Sequence, residues 1–151
     1  MKKQVKLFIG LLLISSFFSA ASFGQCKGFT KNYCLPKIDP YVYNGQLNSA
    51  VLNEGDIAEL LLTFYGGQEY RIVICAEEKL GNLQFKLLDT EHNVIFDNKD
   101  QKYTNYWDFN ANTTQQLIVE VIVPEDESRS SPVINSGCVS ILVGFQEMEE
   151  D

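Results

Sequence analysis

Apolar residues recur at every second position in short runs along this chain, and that alternation constrains the fold more than any other feature. Ile57 to Phe64 puts Ala58, Leu60, Leu62 and Phe64 on one side. Glu69 to Ala76 does so with Tyr70, Ile72 and Ile74, and Leu83 to Asp89 with Leu83, Phe85 and Leu87. Cys138 to Phe145 lines up Val139, Ile141, Val143 and Phe145. A period of two is the mark of a strand with one face buried and one face wet. Shorter runs at Ala50 to Leu52, Val94 to Asp97 and around Trp107 and Phe109 read the same way, as does the β-branched run Leu117 to Val123, which Pro124 stops. Gly66-Gly67 predicts a hairpin between its flanking strands, because glycine takes positive φ freely. The turn Thr90-Glu91-His92-Asn93 predicts a second hairpin. Seven or eight such strands with no amphipathic helix predict an all-β fold. The expected architecture is an antiparallel, jelly-roll-like β-sandwich, with a closed barrel as runner-up.

The N-terminus follows another pattern. Lys2, Lys3 and Lys6 precede an apolar run from Leu7 to Phe18, and small residues follow at Ser19, Ala20, Ala21, Ser22 and Gly24. This is the layout of a secretory signal peptide over residues 1–24. Its apolar core is shorter than the roughly 20 residues a membrane-spanning helix needs. Cleavage after Gly24 (Ala20 or Ala21 is the competing site) leaves 127 of the 151 residues, one domain of ordinary size. Gln25, before Cys26, departs from the small residue that a lipidation signal carries there. The remaining chain has nine basic residues against twenty acidic ones, a net charge of −11. That charge repels phosphate backbones and anionic headgroups, so no nucleic-acid or membrane-surface partner is expected, and the short apolar core reads as no integral membrane protein.

Four cysteines, Cys26, Cys34, Cys75 and Cys138, all lie beyond the leader. An even count in an exported chain predicts two disulfides, and four cysteines allow three pairings. The expected pairs are Cys26–Cys34, closing a short N-terminal loop, and Cys75–Cys138, joining the end of one strand to the start of another. Residues 25–46 carry Pro36 and Pro40 without a clean period and read as an arm pinned by its own disulfide. The sandwich domain spans 47–146, with an irregular loop from Glu125 to Gly137, and residues 147–151 form an acidic tail.

The catalytic inventory is thin. His92 is the only histidine and sits in a predicted turn. No Gly-x-Ser-x-Gly elbow, Cys-x-x-Cys pair or phosphate-cradling glycine loop occurs, so no catalytic residue is assigned and the chain reads as a non-enzyme. Two binding chemistries stand beside that reading. Tyr103, Tyr106 and Trp107 lie among Asn105, Asp108 and Asn110, a composition suited to stacking on sugar rings and bonding their hydroxyls. Against it, Trp107 and Phe109 share a parity, which places both in the core. Asp97 and Asp100, with Asp89, Glu91 and Asn93 nearby, offer the hard oxygens that calcium prefers. Their spacing lacks the turn glycine and closing glutamate of an EF-hand loop, and turns are rich in Asp and Asn for backbone reasons alone. No other cofactor is implied.

Leu52-Asn53-Glu54-Gly55-Asp56, Phe64-Tyr65-Gly66-Gly67 and Tyr70-Arg71-Ile72-Val73-Ile74-Cys75 resemble a run found in uncharacterised exported proteins of the Bacteroidota. Phe85-Lys86-Leu87-Leu88-Asp89, Phe96-Asp97-Asn98 and Gly137-Cys138-Val139 continue the likeness over about Val51 to Phe145. More distantly, the Gly-Asp turn, Gly-Tyr hairpin and Asp-rich strand end resemble the bacterial pre-peptidase C-terminal domain. That resemblance implies a β-sandwich with a role in binding or secretion and carries over no catalytic residue. The expectation is a non-catalytic binding or structural module of the cell envelope or secreted fraction, periplasmic or extracellular. Its partner would be a protein or glycan of that compartment; a carbohydrate- or calcium-binding module is the alternative.

Overall fold

Each run with period two becomes a strand in the computed structural model, which describes residues 24–127 and 133–148. Nearly all of the expected leader, part of the loop before β9 and the end of the acidic tail lie outside the described residues. The strands are β1 (Val42–Tyr43), β2 (Asn48–Asn53), β3 (Ile57–Phe64), β4 (Gln68–Ala76), β5 (Gln84–Leu88), β6 (Val94–Asp97), β7 (Tyr106–Ala111), β8 (Gln115–Ile122) and β9 (Ser136–Glu147). They form an antiparallel β-sandwich. Sheet A has the order β1-β9-β4-β7, with β2 beside β1 on the same flank of β9; sheet B has the order β3-β8-β5-β6. The two-residue β1, too short for any period to show, is the strand that sequence reasoning missed.

The inward parity is the predicted one. Phe64, Ile72, Phe85, Leu87, Val119, Val121 and Val143 are almost fully buried in one core between the sheets. Phe64 packs edge-on against Tyr70 and Phe109, at centroid distances of 4.9 and 5.1 Å. The β5–β6 hairpin forms as expected, with a bulge between Leu87 and Leu88.

The hairpin expected at Gly66-Gly67 does not form. β3 pairs with β8, whereas β4 pairs with β7 and β9, so this turn is an arch from one sheet to the other. Both structures need the same residues. Gly67 has φ +83°, and a Cβ on Gly66 would lie 3.0 Å from the Thr113 backbone of the β7–β8 turn. The arch is held by Tyr70, whose hydroxyl accepts the Tyr65 N–H and donates to Gln68.

The N-terminal arm is helical rather than irregular. Helix α1 (Gln25–Phe29) runs on through a π turn (Thr30–Cys34) and a 3-10 turn (Leu35–Ile38). It is not pinned by its own disulfide: the bonds are Cys26–Cys138 and Cys34–Cys75. The geometry explains the correction. Eight residues along a helix span about 12 Å, whereas a disulfide needs Cα atoms within roughly 7 Å. Cys26, Thr30 and Cys34, four residues apart, instead share one helical face, which lies across the outer face of sheet A. Cys75 pairs in register with Ser140, so Cys138 is its diagonal neighbour, and each of the two takes its partner from the arm. Between the two bonds, the buried Thr30 hydroxyl meets Ser140 Oγ at 2.6 Å. A second small core forms here from Cys34, Ile38, Val73, Cys75 and Leu142. The bonds close loops with sequence separations of 112 and 41 residues. Either alone stabilises the fold by roughly 4–5 kcal/mol on the chain-entropy account. No helix among the described residues is long and apolar enough to cross a membrane.

Candidate binding surfaces

The three aromatic residues expected to form one platform point three ways. Trp107 faces inward and stacks on Phe96 at 4.0 Å, closing the sandwich between its β6 and β7 edges. Tyr106 faces outward from sheet A. Arg71 lies between Tyr106 and Tyr41, its guanidinium carbon 4.9 and 4.6 Å from their ring centroids. Arg71 also makes a two-pronged ion pair with Asp108, both distances 2.7 Å, and donates to the Asp39 carbonyl. The Asp108 bond raises the guanidinium pKa further. Burial, followed by its hydrogen bond to Glu69, raises that of the Tyr41 phenol. The cluster ties the exit of the arm to sheet A. Tyr103 stands apart, in the loop before β7, in a left-handed conformation with φ +56°.

Asp97 caps a 3-10 turn (Asn98–Gln101) and Asp100 lies within it. The Asp97 carboxylate accepts the Lys99 N–H as its cap and two bonds from the Gln84 amide. Among the described residues, no three His, Cys, Asp or Glu side chains converge as a metal would need. Between the two aspartates stands a residue whose role sequence reasoning missed. Asn98 is 1% exposed; it accepts from Phe85 N–H and donates to the carbonyls of Leu83 and Thr104. An Asn in an Asp-rich turn gives no outward signal of that burial. His92 lies at the exposed β5–β6 turn with φ +65°, its Nε2 3.5 Å from Glu59 Oε1.

Two surfaces carry uncommitted binding chemistry. The first is the outer face of sheet B. Register aligns Leu61, Ile118, Leu88 and Val94 into one apolar row across all four strands. Ile118 and Leu88, on the inner strands, are buried, yet belong to neither core. At the edges the row surfaces: Leu61 is 54% exposed and Val94 58%, and Ile57 and Ile95 beside them are also exposed. The neighbouring row is charged and runs Glu59, Glu120, Lys86, Asp97. Within it Lys86 is already neutralised by Glu120 at 2.7 Å. The second surface is a cleft of about 320 Å³ between the end of β4, the turn before β5 and the loop before β7.

No family model matches this chain. No curated protein sequence matches it either. Among solved structures, the fold is similar to that of PliG of Aeromonas hydrophila, a periplasmic inhibitor of g-type lysozyme. The identity is 13%, the likeness covers 71% of this chain and 89% of that one, and the TM-score is 0.49. A likeness of that degree carries no argument about what this chain binds.

Proposed function

We propose that this protein is a non-catalytic exported binding module that docks a basic protein partner of the envelope or secreted fraction on the outer face of sheet B. The apolar row ending in exposed Leu61 and Val94 carries the reading. The arm covers sheet A, where its apolar residues form a second core, while on sheet B the apolar row surfaces at both edges. Exposed apolar residues on a polar background, Leu61 with Ile57 at one edge and Val94 with Ile95 at the other, suit a recognition site. The chemistry of the partner follows from charge: the chain is −8 overall, and the row beside Leu61 holds carboxylates whose one lysine is already paired. A matching surface presents an apolar strip flanked by Lys or Arg. Two disulfides linking arm to sheet suit an oxidising compartment, in agreement with the leader read from the sequence.

Photo-crosslinking amino acids placed at Leu61 and at Val94, with Asn110 on β7 as control, test this in the native envelope. The expected result is one adduct, with a basic protein, from both sheet-B positions and not from the control, weakened by added salt. An adduct between two copies of this chain, equal labelling from the control, or no adduct at either sheet-B position would overturn the reading.

A further inference from the structure

We infer that the cleft between β4, the turn before β5 and the loop before β7 is a binding site for a neutral sugar ring, separate from the sheet-B surface and independent of it.

The walls are built from three places in the chain. Ile74 to Ala76 close β4 on one side; Glu78 and Gly81 to Leu83 form the opposite lip; Tyr103 and Asn105 stand on the third. Its apolar lining is Ile74, Leu83 and Phe85, all largely buried in the core, and its polar lining includes Lys37, Glu78, Asn82 and Asn105. Among the described residues, the side-chain amides of Asn82 and Asn105 have no hydrogen-bond partner within the protein. Both amides are exposed to solvent, whereas the half-buried Gln84 and Asp97 and the buried Asn98 of the adjoining turn are bonded. Two open amides supply a donor and an acceptor each, which suits pairs of adjacent hydroxyls.

Tyr103 adds a stacking face. It and Lys102 are consecutive residues in the left-handed region, with φ +56° and +54°. Side chains other than glycine occupy that region at a cost, and such conformations cluster at functional sites. Here the conformation is clamped. Tyr103 N–H donates to the Asn98 carbonyl, and the Asn98 amide donates to the Thr104 carbonyl. Lys102 closes the 3-10 turn as its C-cap, and the buried asparagine holds the half-exposed Tyr103 ring at the mouth of the cleft.

The ligand class follows from charge and size. Lys37 and Glu78 set one cation and one anion at the rim, so neither sign is favoured in the ligand. A volume of about 320 Å³ is at the small end of ligand sites, which run from about 300 to 1,000 Å³. A neutral pyranose with its apolar face on Tyr103 and its hydroxyls on the two amides meets each of these conditions.

The test is a titration of the exported, ¹⁵N-labelled protein with maltotriose, cellotriose and chitotriose at millimolar concentration, followed by two-dimensional NMR. At least one sugar is expected to give saturable shifts confined to the Asn82 and Asn105 amides and the backbone of 74–76 and 103–105. The pair Asn82→Ala and Asn105→Ala is expected to weaken that binding about tenfold or more, with the melting temperature unchanged. No shift from any of the three sugars would overturn the inference. So would shifts centred on another surface, or binding unaltered in the double variant.

Discussion

Gly144 measures how closely the arm sits on the sheet. It pairs with Tyr43 of β1 and Arg71 of β4, under the end of the arm. A Cβ at this position would lie 2.6 Å from Tyr41 Cβ and 2.7 Å from Ile38 Cγ1. Carbon atoms in good contact are about 3.5–4.0 Å apart, so the arm must lift by about 1 Å. Neither neighbour has room to turn aside. Both are buried, and Tyr41 is held through its hydroxyl by Glu69 and through its ring by Arg71. Overpacking of this kind costs about 1–3 kcal/mol. In a domain of this size each kcal/mol moves the melting temperature by about 3–5 °C, so Gly144→Ala is expected to lower it by about 5–10 °C. Gly28 is the control for the same chemical change. It lies exposed in α1 with nothing within 4 Å of the added carbon. Replacing a helical glycine by alanine there gains up to about 1 kcal/mol, a rise of a few degrees. Thermal unfolding followed by circular dichroism, with the disulfides intact, gives both values. A Gly144→Ala protein as stable as its parent would refute the seating of the arm on β9.

Other consequences follow from particular side chains. Asn98→Ala strands a buried Phe85 N–H and the Leu83 and Thr104 carbonyls, and is expected to cost about 2–4 kcal/mol in urea unfolding; a loss below 1 kcal/mol would mean that water replaces the side chain. Glu77 accepts the Cys138 N–H, which holds its carboxyl below the usual range. A depressed pKa adds stability that is complete above the ordinary glutamate value of about 4.3 and is lost as pH falls through the folded value. Glu77→Gln is therefore expected to flatten the acid limb of a stability-against-pH curve and leave its neutral part nearly parallel to the parent's. Arg71→Lys keeps the charge but loses the two-pronged bond and the planar stack between Tyr41 and Tyr106, and is expected to destabilise by about 1–2 kcal/mol in chemical unfolding. Non-reducing peptide mapping is expected to recover Cys26 linked to Cys138 and Cys34 linked to Cys75; a Cys26–Cys34 peptide would overturn the arm's placement.

The strands were legible because alternation encodes burial directly. Phe64, Ile72, Phe85 and Val143 occupy the core their parity predicted. Partners were not legible, because parity says which face is buried and not which strand lies alongside. Gly66-Gly67 illustrates the limit: positive φ and the absence of a side chain serve an arch between sheets as well as a hairpin within one. The arm was hidden for another reason. Gly28, Asn32 and Pro36 dilute its helical signal, and its apolar face is read only once Cys26, Thr30 and Cys34 are counted at intervals of four. That count also rules out the local disulfide. At the candidate sites, the shared parity of Trp107 and Phe109 already argued for the core, and the structure places Trp107 on Phe96. The cleft combines Asn82 from one loop with Tyr103 and Asn105 from another, and the apolar row combines one residue from each of four strands. Neither can be seen in any single stretch of sequence.

The measurement that bears most directly on the proposed role is the affinity of the partner captured at Leu61, for the parent chain and for Leu61→Asp, at low and high salt. Leu61 is more than half exposed and lies outside both cores, so the variant is expected to fold normally. The expected result is a loss of at least tenfold, about 1.4 kcal/mol, from the substitution, and weaker binding of the parent as salt rises. Equal affinity of parent and variant would contradict it, because the outer face of sheet B would then not be where recognition takes place.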